Sequence, residues 1–132
     1  MPINLVRNTT GVAAVGSSFD VNKSLMIDMD MIPPHQPFEG YLSMILIQVS
    51  NISAATKLTL RVCKDAAGNQ CLITDTLSDL YTGVTDATKG TVIYALNCYS
   101  KTFALNDLYC FVKTNTGTVN IDYIEMTYEG EQ

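Results

Sequence analysis

Tryptophan is missing from this chain and histidine occurs once, at position 35. A single imidazole leaves little acid–base equipment near neutral pH, and His35 stands between prolines in Pro33-Pro34-His35-Gln36-Pro37, a surface connection with no nucleophile beside it. No Gly-x-Ser-x-Gly, Gly-x-Gly-x-x-Gly or phosphate loop is present, so the signatures of an esterase elbow, a dinucleotide fold and a nucleotide-binding loop are lacking. Charge is scarce: 16% of residues are charged, against about 25% in ordinary soluble domains. What charge exists is acidic, net −5, with no basic run to track a phosphate backbone, which argues against nucleic acid as a partner. No apolar run reaches the 18 or so residues of a membrane-spanning helix. The four cysteines, Cys63, Cys71, Cys98 and Cys110, form no Cys-x-x-Cys pair, which removes a zinc ribbon and a thioredoxin-type site. The start, MPINLVRNTTG, has no charged segment followed by an apolar one, so synthesis and folding in a cytosol are expected.

Apolar residues are not scarce. They make up 47% of 132 residues, enough for one domain with a real core. Thr, Ser and Asn supply the polar surface that Lys and Glu do not. A weakly charged, hydroxyl-rich surface suits β-structure and broad subunit contact, because each charge buried at an interface costs desolvation. Cys63 and Cys71 bracket the turn sequence KDAAGNQ and face each other if that segment is a hairpin. A disulfide and a pair of thiols are both open there, cytosolic folding favouring thiols. Cys98 and Cys110 read as small core residues.

Strand signals recur along the chain. Ile3–Arg7 is a short strand, and residues 1–18 as a whole read as an N-terminal arm or edge strand, with residues 19–132 forming the sandwich domain. Leu25, Ile27, Met29 and Met31 form one face of a strand, with Asp28 and Asp30 on the other, ahead of the proline-rich connection. Six of the eight residues from Leu42 to Val49 are apolar, which predicts a central strand over Gly40–Ser50 buried on both faces. Leu58, Leu60 and Val62 point inward in the next strand. CLITD at Cys71–Asp75 and TVIYAL at Thr91–Leu96 follow, with Val92, Tyr94 and Leu96 on one face and at most one helical turn, Ser78–Tyr81, between them. At the C-terminal end, Asn115-Thr116-Gly117 between two β-rich runs predicts a hairpin that pairs Thr114 with Thr118, Phe111 with Ile121 and Tyr109 with Tyr123. The last run changes parity, which has two readings: a β-bulge near Asp122-Tyr123 lets Ile121, Ile124 and Met126 face one core, or both faces are covered, one by a second sheet and one by a neighbouring subunit.

About eight strands at near-regular spacing, without an amphipathic helix, predict an all-β fold: an antiparallel β-sandwich of jelly-roll type. An immunoglobulin-like sandwich is the alternative, with no tryptophan to pack its core. Carboxylates at Asp28, Asp30, Asp75, Asp79 and Asp86 raise calcium but match no EF-hand spacing and read as solvated positions, so no cofactor or metal is expected. Tyr81, Tyr99, Tyr123 and Tyr128 are the rings that could stack on a sugar, and serve equally as core or interface residues.

The closing stretch GTVNIDYIEMTYEG is similar to the last strand of jelly-roll modules of the galactose-binding and carbohydrate-binding kind, where I-D-x-I recurs. Taken whole, the chain resembles small virion proteins of tailed bacteriophages. The shared traits are a Met-Pro start without a signal, a low-charge surface rich in Thr, Asn and Ser, one small sandwich, and an arm of the GVAAVGSS type. That resemblance carries no functional residue across. It implies a non-enzymatic virion component, a capsid decoration (cement) or fibre-associated protein, made in the host cytoplasm. Its partners would be its own copies, trimers favoured, and a major capsid or other virion protein. Interface residues are expected at Ile3, Leu5, Val12 and Val15 in the arm and at Tyr123 or Tyr128. The alternative is a jelly-roll carbohydrate-binding module that takes a glycan.

Overall fold

Alternating apolar side chains become two antiparallel sheets in the computed structural model, which describes residues 3–27, 40–95 and 108–130. The strands are β1 (Ile3–Asn8), β2 (Val12–Val15), β3 (Leu25–Ile27), β4 (Gly40–Ser53), β5 (Lys57–Cys63), β6 (Cys71–Asp79), β7 (Tyr81–Thr82), β8 (Gly90–Ala95), β9 (Leu108–Thr114) and β10 (Thr118–Gly130). A 3-10 turn at Val21–Lys23 is capped by Asp20, which accepts from the Asn22 N–H. Sheet A runs β1-β10-β4-β8-β7, with β2 also on β10, and sheet B runs β3-β9-β5-β6. From β3 onward the chain alternates between the sheets except at the β5–β6 and β7–β8 connections. Setting aside the accessory strands β2 and β7, that order is the eight-stranded jelly roll.

The two inner faces meet in one core. Sheet A contributes Val6, Ile45, Ile47, Val49, Val92, Tyr94, Ile121, Ile124 and Met126; sheet B contributes Leu25, Ile27, Leu58, Leu60, Val62, Leu108, Cys110 and Val112. The Tyr94 hydroxyl crosses the layer and donates to the Leu58 carbonyl at 2.7 Å, so this buried phenol is satisfied. Burial raises the pKa of Tyr94 and, for the same reason, that of the Cys110 thiol.

The expected bulge is present: Ile121 pairs with Val49 and Tyr123 with Gln48, leaving Asp122 as the extra residue. Ile121, Ile124 and Met126 are all buried. The terminal hairpin is not. β9 belongs to sheet B and β10 to sheet A, so Asn115–Gly117 arches between layers, and neither Phe111–Ile121 nor Tyr109–Tyr123 is a pair. Asn115 explains the difference. Its side-chain oxygen accepts the Thr56 and Lys57 N–H groups at 3.0 and 3.1 Å, while its own N–H donates to the Lys57 carbonyl. The turn is thereby tied to the β4–β5 loop instead of closing a ladder on itself.

Two further expectations change. Ser78–Tyr81 holds no helical turn: β6 extends to Asp79 because Leu77, Ser78 and Asp79 continue the pairing with Thr59, Leu58 and Lys57. β4 is central, between β10 and β8, but is not buried on both faces. Ile45, Ile47 and Val49 enter the core, Gln48 is exposed, and Met44 and Leu46 are only partly covered, since among the described residues no element lies over the outer side of sheet A. The alternating pair Met29 and Met31, the proline-rich connection with His35, and Leu96, Cys98 and Tyr99 lie outside the described residues.

Candidate functional site

Register places three rows of side chains on the outer face of sheet A. Leu5, Thr127, Met44 and Ala95 form the first; Arg7, Glu125, Leu46 and Ile93 the second; Tyr123, Gln48, Thr91 and Tyr81 the third. Partners in a row point to the same side of the sheet, so these are lateral neighbours. Leu5 is 45% exposed and Ile93 43%, unusually open for large aliphatic side chains, and Met44 and Leu46 lie between them half-covered. The result is an apolar band on β4 and β8 (Met44, Leu46 and Ile93), with Leu5 on β1 set apart from it by Thr127 and Glu125 of β10.

One charged cluster interrupts the band. Arg7 Nε donates to Glu125 Oε2 at 2.8 Å, and the Tyr123 hydroxyl donates to the same oxygen. Partial burial first, then this hydrogen bond and the Glu125 charge, raise the pKa of Tyr123. With its charges mutually neutralised, the band can be covered at lower desolvation cost than isolated ions would impose.

The third row opens into a cleft of about 600 Å³ between the β7–β8 turn and the bulge of β10. Gln48, Thr91, Lys89 and Asp122 offer polar groups, and Tyr81, 65% exposed, forms one wall. Asp122 is held there because it is the bulged residue, and the Ser50 hydroxyl donates to its Oδ1 at 2.9 Å.

The outer face of sheet B differs in kind. Arg61 forms a two-pronged pair with Asp75 (2.8 and 3.2 Å) and Lys57 pairs with Asp79 at 3.3 Å. Arg61 and Lys113 both stand over the Phe19 ring, 4.2 and 4.7 Å from its centroid. The hydrogen bond from Arg61 holds the Asp75 carboxyl below the usual carboxylate range. Its exposed apolar side chains, Met26 and Leu77, sit on opposite edge strands and form no band.

Of the expected interface residues, Leu5 and Tyr123 both lie on the outer face of sheet A, in the first and third rows, on neighbouring strands. Val15 is buried in the core of its own chain and Val12 packs partly against it, because β2 continues along β10 (Val15 opposite Val119, Val12 opposite Ile121). The backbones of Ile3 and Tyr128 pair within sheet A, opposite Glu129 and Asn4, while their side chains lie outside the described residues. Met44, Leu46 and Ile93 were missed; the signal was an apolar residue at both parities of β4 and β8. Among the carboxylates named for calcium, Asp75 and Asp79 are ion-paired and Asp86 accepts from Thr88, while Asp28 and Asp30 lie outside the described residues. Tyr81 is the exposed ring of the sugar-stacking candidates described here.

No family model matches the chain, and no curated protein matches it. Among solved structures, Eiger TNF from S. frugiperda is similar at 12% identity and a TM-score of 0.47, covering 100% of this chain and 96% of that one. The C-terminal CBM6 of LamC, a marine laminarinase from Zobellia galactanivorans, is similar at 13% identity and a TM-score of 0.44, covering 96% and 99%. Likeness at this level carries neither a residue nor an activity across to this chain.

Proposed function

We propose that this chain is a non-enzymatic assembly protein that packs against its own copies through the outer face of sheet A. In this reading it serves as a decoration or cement component, or a fibre-associated one, of a virion, made in the host cytoplasm and joined to a major capsid or other virion protein. The observation that carries it is the outward apolar group of Met44, Leu46 and Ile93 on β4 and β8, with exposed Leu5 beyond β10 and an already neutralised Arg7–Glu125 pair beside them. A bare apolar sheet face is a usual mark of an interaction surface. Four strands about 4.8 Å apart and rows about 6.8 Å apart give a face of roughly 400 Å², half of the ~800 Å² per partner in a standard interface. One such contact is therefore weak. Closed trimers or a shell that repeats the contact many times suit it better than a lone pair.

Light scattering and native mass spectrometry of the full chain test this. An oligomer that dissociates in Ile93→Glu and Leu5→Glu variants, with unchanged circular dichroism, is expected. A wild-type chain that stays monomeric at high micromolar concentration overturns it.

The exposed Tyr81 wall of the polar cleft favours one other reading, a carbohydrate-binding module: a ring face for stacking, with Gln48, Thr91, Lys89 and Asp122 for sugar hydroxyls. Saturable binding on a glycan array, lost in Tyr81→Ala, supports that reading. No binding to any glycan removes it.

A further inference from the structure

A second patch of buried side chains lies apart from the main core, on the outer side of sheet B. Cys63 and Phe111, 0% and 2% exposed, belong to it and do not join the central cluster. The loop of residues 64–70 runs over this side. Gly68, at φ +78°, approaches the Phe111 ring so closely that a Cβ there would stand 3.3 Å from Cζ. Asp65 shapes the loop: its carboxylate accepts the Asn69 N–H at 3.0 Å and the Gln70 N–H at 2.9 Å.

Both ends of this loop are cysteines. Cys63 on β5 and Cys71 on β6 are register partners. The Lys64 N–H donates to the Gln70 carbonyl at 2.8 Å, so the ladder bond flanks the cysteine pair instead of joining it. That makes Cys63–Cys71 a non-hydrogen-bonded position, beside a register shift that leaves Leu72 as the extra residue of β6; in a regular ladder the Cα atoms of such a pair stand about 4.5 Å apart with side chains on the same face. Disulfides span Cα separations of about 4.4–6.8 Å, so the pair is placed for a bond without backbone movement. Cys110 is no competitor: it pairs with Val62 and faces the opposite side of sheet B.

We propose that Cys63 and Cys71 are a redox pair whose disulfide fastens the 64–70 loop over Phe111. Exposure sets the order of reaction, since Cys71 is exposed and Cys63 buried. A small disulfide such as oxidised glutathione is the oxidant. The Cys71 thiolate attacks it, forming a mixed disulfide and releasing one glutathione thiolate. Cys63, deprotonated, then attacks the Cys71 sulfur and releases the second. Two protein thiols become one disulfide, one oxidised glutathione becomes two reduced ones, and the two thiol protons pass to the leaving thiolates. In a reducing cytosol the loop stays unfastened; an oxidising medium closes it.

The full chain, purified reduced and then equilibrated with oxidised glutathione, tests the proposal by free-thiol counting under denaturing conditions and by peptide mapping without reductant. The expected result is a loss of two thiols, one peptide pair joined through Cys63 and Cys71, and a melting midpoint raised by about 5–10 °C. Cys71→Ser, an exposed and conservative change, is expected to gain no such increment on oxidation. An unchanged thiol count, glutathione retained on Cys71 without closure, or a link to Cys98 or Cys110 overturns the proposal. So does an equal rise in the Cys71→Ser variant. Should that variant not fold, the wild-type peptide map decides alone.

Discussion

Gly117 ends the arch between the sheets, just ahead of β10. Its φ is +68°, in the left-handed region, and a Cβ added there would stand 1.7 Å from the Ser53 carbonyl oxygen and 3.1 Å from the Ala54 Cβ. Alanine therefore meets two costs. The left-handed conformation costs a non-glycine residue about 1–2 kcal/mol. The contact with Ser53 is with backbone and cannot be relieved by a rotamer change, so the arch has to shift by roughly 1.5 Å. That shift strains the Thr118–Ser53 pairing and the Asn115 bonds to Thr56 and Lys57, of which losing two costs about 1–3 kcal/mol. Gly117→Ala is expected to lose about 2–5 kcal/mol, which lowers the melting midpoint of a domain this size by roughly 5–20 °C. Gly117→Asn separates the two costs, because asparagine tolerates the left-handed region but carries the same Cβ. Gly16→Ala is the control: nothing stands within 4 Å of its Cβ position, and a change of less than about 1 kcal/mol is expected. Urea titrations of the three variants supply the comparison. If Gly117→Asn is nearly neutral while Gly117→Ala costs only 1–2 kcal/mol, the backbone contact with Ser53 does not exist. The turn would then be an open hairpin loop, and the two-layer connection described above would be wrong.

Tyr94→Phe removes the hydroxyl that donates to the buried Leu58 carbonyl and is expected to cost about 1–2 kcal/mol in the same titration. A neutral result would show that water satisfies that carbonyl equally well. On the acid side, the hydrogen bond from Arg61 lowers the Asp75 pKa from its ordinary 3.8. The paired carboxylate therefore stabilises the fold above that value, and the contribution is lost as pH falls through the folded-state pKa. Melting midpoints should decline below about pH 4, and the decline should be shallower in Asp75→Asn; equal slopes would refute the assignment. On the alkaline side, burial raises the Cys110 and Tyr94 pKa values from 9.0 and 10.0. Both groups stay neutral in the fold while the unfolded chain ionises, so stability is full below about pH 9 and falls above it. Cys110→Ala should flatten the onset near pH 9, and an unchanged onset would count against a buried thiol there.

Much of the architecture was legible in the sequence because alternation is a local signal. Leu58, Leu60 and Val62, and likewise Val92 and Tyr94, announce their core face within a few residues, and all are buried. The bulge at Asp122 was legible for the same reason, as a change of parity inside one strand. What failed was pairing. A glycine in the left-handed region after Asn115-Thr116 has the same local chemistry in a hairpin loop and in an arch. The choice is made by Asn115 reaching Thr56, 59 residues away in sequence, and nothing near position 115 encodes that contact. The outer-face band was half legible. The continuous apolar run in β4 was plain, but two coverings suit such a run: a second layer of the same chain, or another molecule. Leu5 and Tyr123 were singled out, whereas Ile93 went unnoticed because Val92 and Tyr94 fully account for β8 as a core strand.

The bulge at Asp122 ties this outer face to the core. Without the extra residue, Ile121 and Ile124 would lie on opposite sides of β10, and one of them would leave the core for the outer face. With it, Ile121, Ile124 and Met126 all serve the interior, and β10 sends out Tyr123, Glu125 and Thr127, which are polar or amphipathic. The second longest strand of sheet A thus has no need of a covering layer. Its neighbour β4, the longest, has its own irregularities only at Ser43 and between Ser50 and Ser53, and along the regular run between Met44 and Gln48 it presents Met44 and Leu46 outward, with Ile93 beside them on β8 and Leu5 beyond β10. An interior already filled by one side of β4 gives no reason for aliphatic residues on its other side, at the places where Thr or Lys would keep a monomer soluble. In the assembly reading proposed above, that face is where a neighbouring copy packs, and comparing the mass of Ile93→Glu with wild type is the test of it: equal monomeric masses would leave the aliphatic residues of β4 without that explanation.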